Sequence, residues 1–82
     1  MARFLYFGKL MDVAGTHSEA RDLPPSVSDT RALRAWLDTA HRTDGVFSDP
    51  AVRFAINDEI VADPAPLCDG DEIAVMPPVG GG

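Results

Sequence analysis

The chain has a single cysteine, Cys68, so no disulfide can close within it and no cysteine-based zinc pattern is available. That scarcity is compatible with a reducing compartment, and a cytoplasmic location is the expectation. Cations are also few: seven Lys and Arg stand against thirteen Asp and Glu, giving a formal charge of −6 and a pI near 4.5. Such a balance repels phosphate backbones and argues against nucleic-acid binding. It favours solubility and can steer the chain toward a basic partner. No apolar run approaches the roughly 18–20 residues of a membrane span, so no membrane partner is expected. The first residues enter a strand-like pattern directly, without a signal-peptide cleavage site. His17 and His41 are far apart and lack metal-ligand spacing with Cys68, which makes solvated histidines the expectation and a metal site not expected. Asp69, Asp71 and Glu72 lack an EF-hand loop and read as a turn leading into a strand. Cys68 has no basic sequence neighbour to activate it and reads as a packed or idle thiol.

What is present suits one small soluble domain. Eighty-two residues with 45% hydrophobic content and a mean hydropathy near zero lie close to the size at which one core sustains a fold without staples. Arg3 to Phe7 is aromatic and aliphatic and reads as a buried strand closed by Gly8. Lys9 to Ala14 suits a short helical turn ended by Gly15. Ser18 to Leu23 alternates weakly, pairs back on the first strand and stops at Pro24-Pro25. From Asp29 to His41, Leu33, Trp36, Leu37 and Ala40 repeat at the spacing of one buried helical face, with Ser28 or Asp29 as N-cap. Arg31, Arg34, Asp38 and Arg42 fall largely on the other side. The loop Thr43 to Pro50 offers Val46 and Phe47 as plugs for an edge of the core. Val52 to Val61 reads as a hairpin turning at Asn57-Asp58, and Glu72 to Met76 as the last strand. One amphipathic helix for one sheet is an α+β layer arrangement, a mixed sheet of about four to five strands covered by one main helix.

The chain ends Pro77-Pro78-Val79-Gly80-Gly81-Gly82. Three terminal glycines make a poor structural end because ordering them is costly. Each proline locks its own φ, and Pro78 biases Pro77 toward extended backbone, so the tail is expected to project from the body. One reading is a frayed terminus. The other is a thin probe that threads a narrow channel and presents its carboxylate to another protein. The boundary expected is residues 1–76 for the domain and residues 77–82 for a flexible tail.

Three segments carry a family likeness: Phe4-Leu5-Tyr6-Phe7-Gly8-Lys9-Leu10 with Val13-Ala14-Gly15-Thr16, then Ala55-Ile56-Asn57-Asp58-Glu59-Ile60-Val61, then Asp69 through Gly82. Together they resemble the ubiquitin-like β-grasp sulfur carriers, the family of the molybdopterin synthase small subunit. The Gly-Asp-Glu strand running into Pro-Pro-Val and terminal glycines is the most specific piece. Family tails often carry Ser or Thr where Gly80 stands, and the thiamine-pathway sulfur carriers also end in glycine. The β-grasp topology is implied by this resemblance, because the strand pattern alone does not set strand order.

The resemblance implies a chain with no catalysis of its own and no cofactor bound to it. Gly82 would be the reactive site: an adenylating partner related to ubiquitin-activating enzymes would use ATP to activate its carboxylate, and sulfur would replace AMP to leave a thiocarboxylate. Gly80 and Gly81 would keep the tail thin enough for a water-excluding channel. The large synthase subunit would take the tail, and the sulfur would pass to cyclic pyranopterin monophosphate. Phe7, Met11, Ile60, Met76, Pro77, Pro78 and Val79 are the expected partner-binding residues, and methionine suits a surface that must fit two partners in turn. For Phe7 and Ile60, ordinary core packing is the alternative. Lys9 is given no role beyond solubility. The competing functions are a thiamine-pathway-type carrier, a ubiquitin-like modifier conjugated through Gly82, and an interaction module with an inert tail.

Overall fold

The computed structural model describes residues 1–78. The expectations placed on Val79, Gly80, Gly81 and Gly82 lie outside the described residues. The elements in order are β1 (Ala2–Tyr6), α1 (Lys9–Ala14), β2 (Ser18–Arg21), α2 (Thr30–Ala40), β3 (Arg53–Ile56), β4 (Glu59–Val61) and β5 (Glu72–Met76). They build one five-stranded mixed sheet in the order β2-β1-β5-β3-β4. β1 and β5 pair parallel, and every other neighbouring pair is antiparallel. The chain's last strand therefore lies at the centre of the sheet, held on both sides.

Local chemistry explains the element ends. Asp29 caps α2, its Oδ1 accepting the Ala32 N–H at 2.8 Å, which satisfies one of the free donors of the first turn. Thr30 is fully buried and ties the helix start to the loop before β5: its N–H donates to the Ala65 carbonyl, and its Oγ1 accepts the Ala65 N–H, each at 2.9 Å. Asn57 and Asp58 both adopt positive φ (51° and 70°), as a two-residue hairpin turn demands, and so join β3 tightly to β4.

α2 supplies Leu33 and Leu37 to a core that also takes Ala2, Phe4 and Tyr6 from β1, Phe54 from β3, and Ile73 and Val75 from β5. Trp36 closes its edge, stacked on Phe4 with ring centroids 5.9 Å apart. β1 was expected to be buried throughout. Instead it alternates: Ala2, Phe4 and Tyr6 face the core, while Arg3 is exposed and Leu5 half-buried on the opposite face. α2 covers only one side, so the sheet keeps the period-two pattern of a strand with one open face.

Two further corrections concern charged residues placed on the solvent side of α2. Arg34 is buried. Its guanidinium donates to the carbonyls of Phe47 (3.0 Å), Asp49 (2.9 Å) and Val52 (2.7 Å) and to Asp63 Oδ2 (2.5 Å), and it lies over the Phe54 ring. A planar five-donor fork is the one side chain that can collect so many acceptors. Asp38 is half-buried and accepts from the Phe47 N–H (2.7 Å), Thr43 Oγ1 and Ser48 Oγ (both 2.5 Å). Together these two residues fasten the 43–52 loop and seat Phe47 fully inside the core.

Candidate functional site

The site is built around the end of β5. Its middle position in the sheet gives the tail a root that two neighbouring strands hold in place. The Phe7 N–H donates to the Val75 carbonyl at 3.2 Å, which continues the β1–β5 ladder to the tail's edge. Gly8 follows with φ of 56°, in the region that favours glycine. A Cβ at Gly8 would stand 3.0 Å from Pro77 Cγ, so the missing side chain lets the prolyl ring pack against this turn. Pro77 is half-buried there and Pro78 is exposed. Beside the prolyl pair lies an open hollow of about 440 Å³, whose walls include Leu10, Val13, Val46 and Val52 with Lys9, Asp44 and Asp49 among its polar members.

The face of the sheet away from α2 adjoins this root. Its registers place Ser18, Leu5, Ala74, Ala55 and Ile60 in one row across all five strands. Toward the tail, Met76 stands opposite Arg53, and Phe7 extends the line of β1. Ile60 is 61% exposed, Phe7 47% and Met11 42%, so all three are open to solvent and core packing does not apply to Phe7 or Ile60. Met76 is half-buried on the same face. Leu5, Phe7, Met11, His17 and Ser18 border a largely apolar hollow of about 330 Å³ at one end of the face. A cluster of large apolar side chains left in water on so small a chain is the mark of a surface that another molecule covers. Sequence reasoning did not single out Leu5, Ala55 or Ala74, because it read β1 as a buried strand and assigned no faces to β3 and β5; the alternation of Phe4, Leu5 and Tyr6 was the available signal.

Away from this surface, His41 corrects the expectation of a solvated histidine. Its side chain is 6% exposed, and its Nε2 lies 3.0 Å from both Glu19 Oε2 and the Tyr6 hydroxyl. Tyr6 donates to the same carboxylate at 2.6 Å, and Arg21 pairs with its other oxygen at 3.0 Å. Burial pushes the Tyr6 phenol up, and its bond to Glu19 adds to the effect. Burial also pushes the Glu19 carboxyl upward, but the bonds from Tyr6 and Arg21 outweigh it and hold Glu19 below its ordinary value. The cluster clamps β2 to the end of α2, on the covered face and apart from the tail. His17 and Cys68 are exposed. Asp71 accepts the Cys68 N–H and an Asn57 amide, which accounts for its place in the turn before β5. Among the described residues no group of three or more His, Cys, Asp or Glu is arranged to hold a metal, and no helix is long and apolar enough to cross a membrane.

A small mixed sheet gripping its main helix, with β5 central and the prolyl pair leaving β5 beside a partly apolar open face, defines a ubiquitin-like β-grasp protein. SAMP1 from Haloferax volcanii, that organism's small archaeal modifier protein 1, shares the fold with a TM-score of 0.73 and 31% identity, over 99% of this chain and 98% of that one. The chain matches the ThiS family over residues 4–82 and belongs to it. Over 98% of its length it is 37% identical to the molybdopterin synthase sulfur carrier subunit of Chlamydomonas reinhardtii, covering 96% of that protein. It is 31% identical to the subunit of the same description from Escherichia coli, with both chains covered in full.

Proposed function

We propose that this chain is the sulfur carrier subunit of a molybdopterin synthase, with the Gly82 carboxylate as the group that is activated and sulfurated. The supporting observation is the union of an anchored tail root with an exposed apolar face beside it. A carboxylate is a poor acyl donor. An adenylating partner would join a carboxylate oxygen of Gly82 to the α-phosphorus of ATP with loss of pyrophosphate, giving a mixed anhydride. A sulfur nucleophile at the acyl carbon would then displace AMP and leave the thiocarboxylate. The acyl group is sensitive to water, so the tail must reach its partners through channels that exclude solvent, and side chains at Gly81 or Gly82 would obstruct them.

Phe7, Met11, Ile60 and Met76 would carry the docking, while Pro77 and Pro78 hold the outgoing chain extended toward Val79 and the glycines. The large synthase subunit would use this face when sulfur passes to cyclic pyranopterin monophosphate, and the activating enzyme would use it in turn. ATP would be bound by the activating partner rather than by this chain.

The test is the intact mass of the untagged protein before and after incubation with ATP, a cognate activating enzyme and a sulfur source. A gain of about 16 Da at Gly82, one oxygen replaced by sulfur, is expected. No gain, with the enzyme active on a known carrier, would overturn the reading. The likeness to an archaeal modifier protein favours one second reading, conjugation of Gly82 to lysines of other proteins. That reading requires covalent adducts that survive thiol reductants, formed without thiocarboxylate.

A further inference from the structure

The open face of the sheet differs in charge from the rest of the molecule. By register, the charged strand residues on it are Arg3, Glu72 and Arg53. Two of the seven cations and one of the thirteen acids stand there, a net charge of +1. The remaining five cations and twelve acids give the rest of the chain a net charge of −7. Arg3 is directly opposite Glu72 across β1 and β5, so its cross-strand neighbour is an acid, although no carboxylate among the described residues lies within 4.0 Å of it. Arg53 has no such neighbour. Its cross-strand partner is Met76, it is exposed, and among the described residues no carboxylate lies within 4.0 Å of it. An unpaired guanidinium therefore borders the apolar row on the side from which the tail leaves.

We propose that Arg53 sets the register of docking: the protein that covers the open face places a carboxylate opposite Arg53, next to the apolar contacts of Met76 and Ile60. The inference rests on the reading above, in which this face meets the large synthase subunit. The chemistry favours an acid at that point. Arginine presents a planar fork that a carboxylate fills with two parallel hydrogen bonds, fixing orientation as well as position. Arginine is also enriched among the few residues that carry most of an interface's binding energy. A partner that is basic throughout would be attracted to the remaining surface and repelled here, so the placement of this one cation discriminates between faces. Register matters because the tail leaves beside the same row, and a slipped face would misdirect its end.

The experiment measures association rate and affinity for the large subunit of molybdopterin synthase encoded by the same genome, at low and moderate ionic strength. The variants are Arg53→Glu, Arg53→Gln, Arg31→Glu and Ile60→Asp. Arg31 is exposed on α2, and its reversal changes net charge by the same amount as reversal of Arg53. Arg53→Glu is expected to weaken binding about tenfold or more at low salt and Arg53→Gln less, while Arg31→Glu stays within about twofold of the parent. Reversing the carboxylate on the large subunit to lysine should restore binding of Arg53→Glu. Equal effects of Arg53→Glu and Arg31→Glu, or tighter binding by Arg53→Glu, would overturn the proposal while leaving the docking reading intact. Unchanged binding by Ile60→Asp would overturn both the docking face and the proposal. Circular dichroism of each variant separates lost docking from lost fold.

Discussion

The two faces of one sheet use the same strands for opposite purposes. On the covered face, Phe4, Tyr6, Ile73 and Val75 are withdrawn from water against Leu33 and Leu37. On the open face, the alternate residues Leu5, Ala74 and Met76, with Phe7 just beyond β1 and Ile60 on β4, remain partly or largely in water. Because a strand's side chains alternate, consecutive residues of β1 face the core and the open side in turn. On the proposed reading, the same apolar chemistry supplies stability on one side and binding on the other, and substitutions should separate the two.

The largest stability loss is expected on the covered face. Phe4→Ala should cost about 3–5 kcal/mol in urea unfolding, because it deletes a fully buried ring and leaves a cavity. A loss under about 1 kcal/mol would mean that the core is not organised around β1. Arg34→Ala should follow at about 3 kcal/mol, since three loop carbonyls and Asp63 lose their donor together. Arg34→Lys should rescue little, because one ammonium cannot reproduce the fork. Gly8→Val should cost about 1–3 kcal/mol from its positive φ and from the contact with Pro77, and it should also displace the tail root. A chemical-shift change at Pro77 larger than at α2 would locate that second effect.

The acid limb of stability sharpens the same comparison, because the perturbed carboxylates lie off the open face. Burial pushes Asp38 and Asp63 up, but their hydrogen bonds prevail: Ser48, Thr43 and the Phe47 N–H lower Asp38, and Arg34 and Thr30 lower Asp63. Glu19 is lowered as described above. In the unfolded chain these groups take up protons near 3.8 for Asp and 4.5 for Glu, while the folded groups resist until lower pH. Their stabilisation is thus present at neutral pH and lost as pH falls from about 4.5 downward through the folded values. Asp38→Asn should flatten part of that slope, measured as unfolding free energy against pH. The smallest stability effect belongs to the open face: Ile60→Asp should stay within about 0.5 kcal/mol of the parent while weakening docking.

Much of this was legible in the sequence. The Leu33, Trp36, Leu37 and Ala40 spacing located α2, and Asn57-Asp58 located the hairpin turn. Phe7, Met11 and Ile60, expected from family likeness to bind partners, proved exposed. Arg34 escaped because it sits on the flank of the apolar stripe, where helical spacing alone does not decide between solvent and core. Its role depends on carbonyls of residues 47, 49 and 52, which only the tertiary fold brings to it. His41 escaped for the same reason: its partners Tyr6 and Glu19 come from β1 and β2, far away along the chain. The open face itself was hidden because an apolar strand reads alike whether one side or both are covered.

The most direct test is a single turnover: thiocarboxylated protein, the large synthase subunit and cyclic pyranopterin monophosphate, with dithiolene product measured against time. The account expects product from the parent chain. It expects a markedly slowed reaction from Ile60→Asp, recovered at high subunit concentration, and none from a chain lacking Gly81-Gly82 that nevertheless folds and docks. Product formed at the parent rate without the two glycines would contradict the claim that Gly82 carries the sulfur.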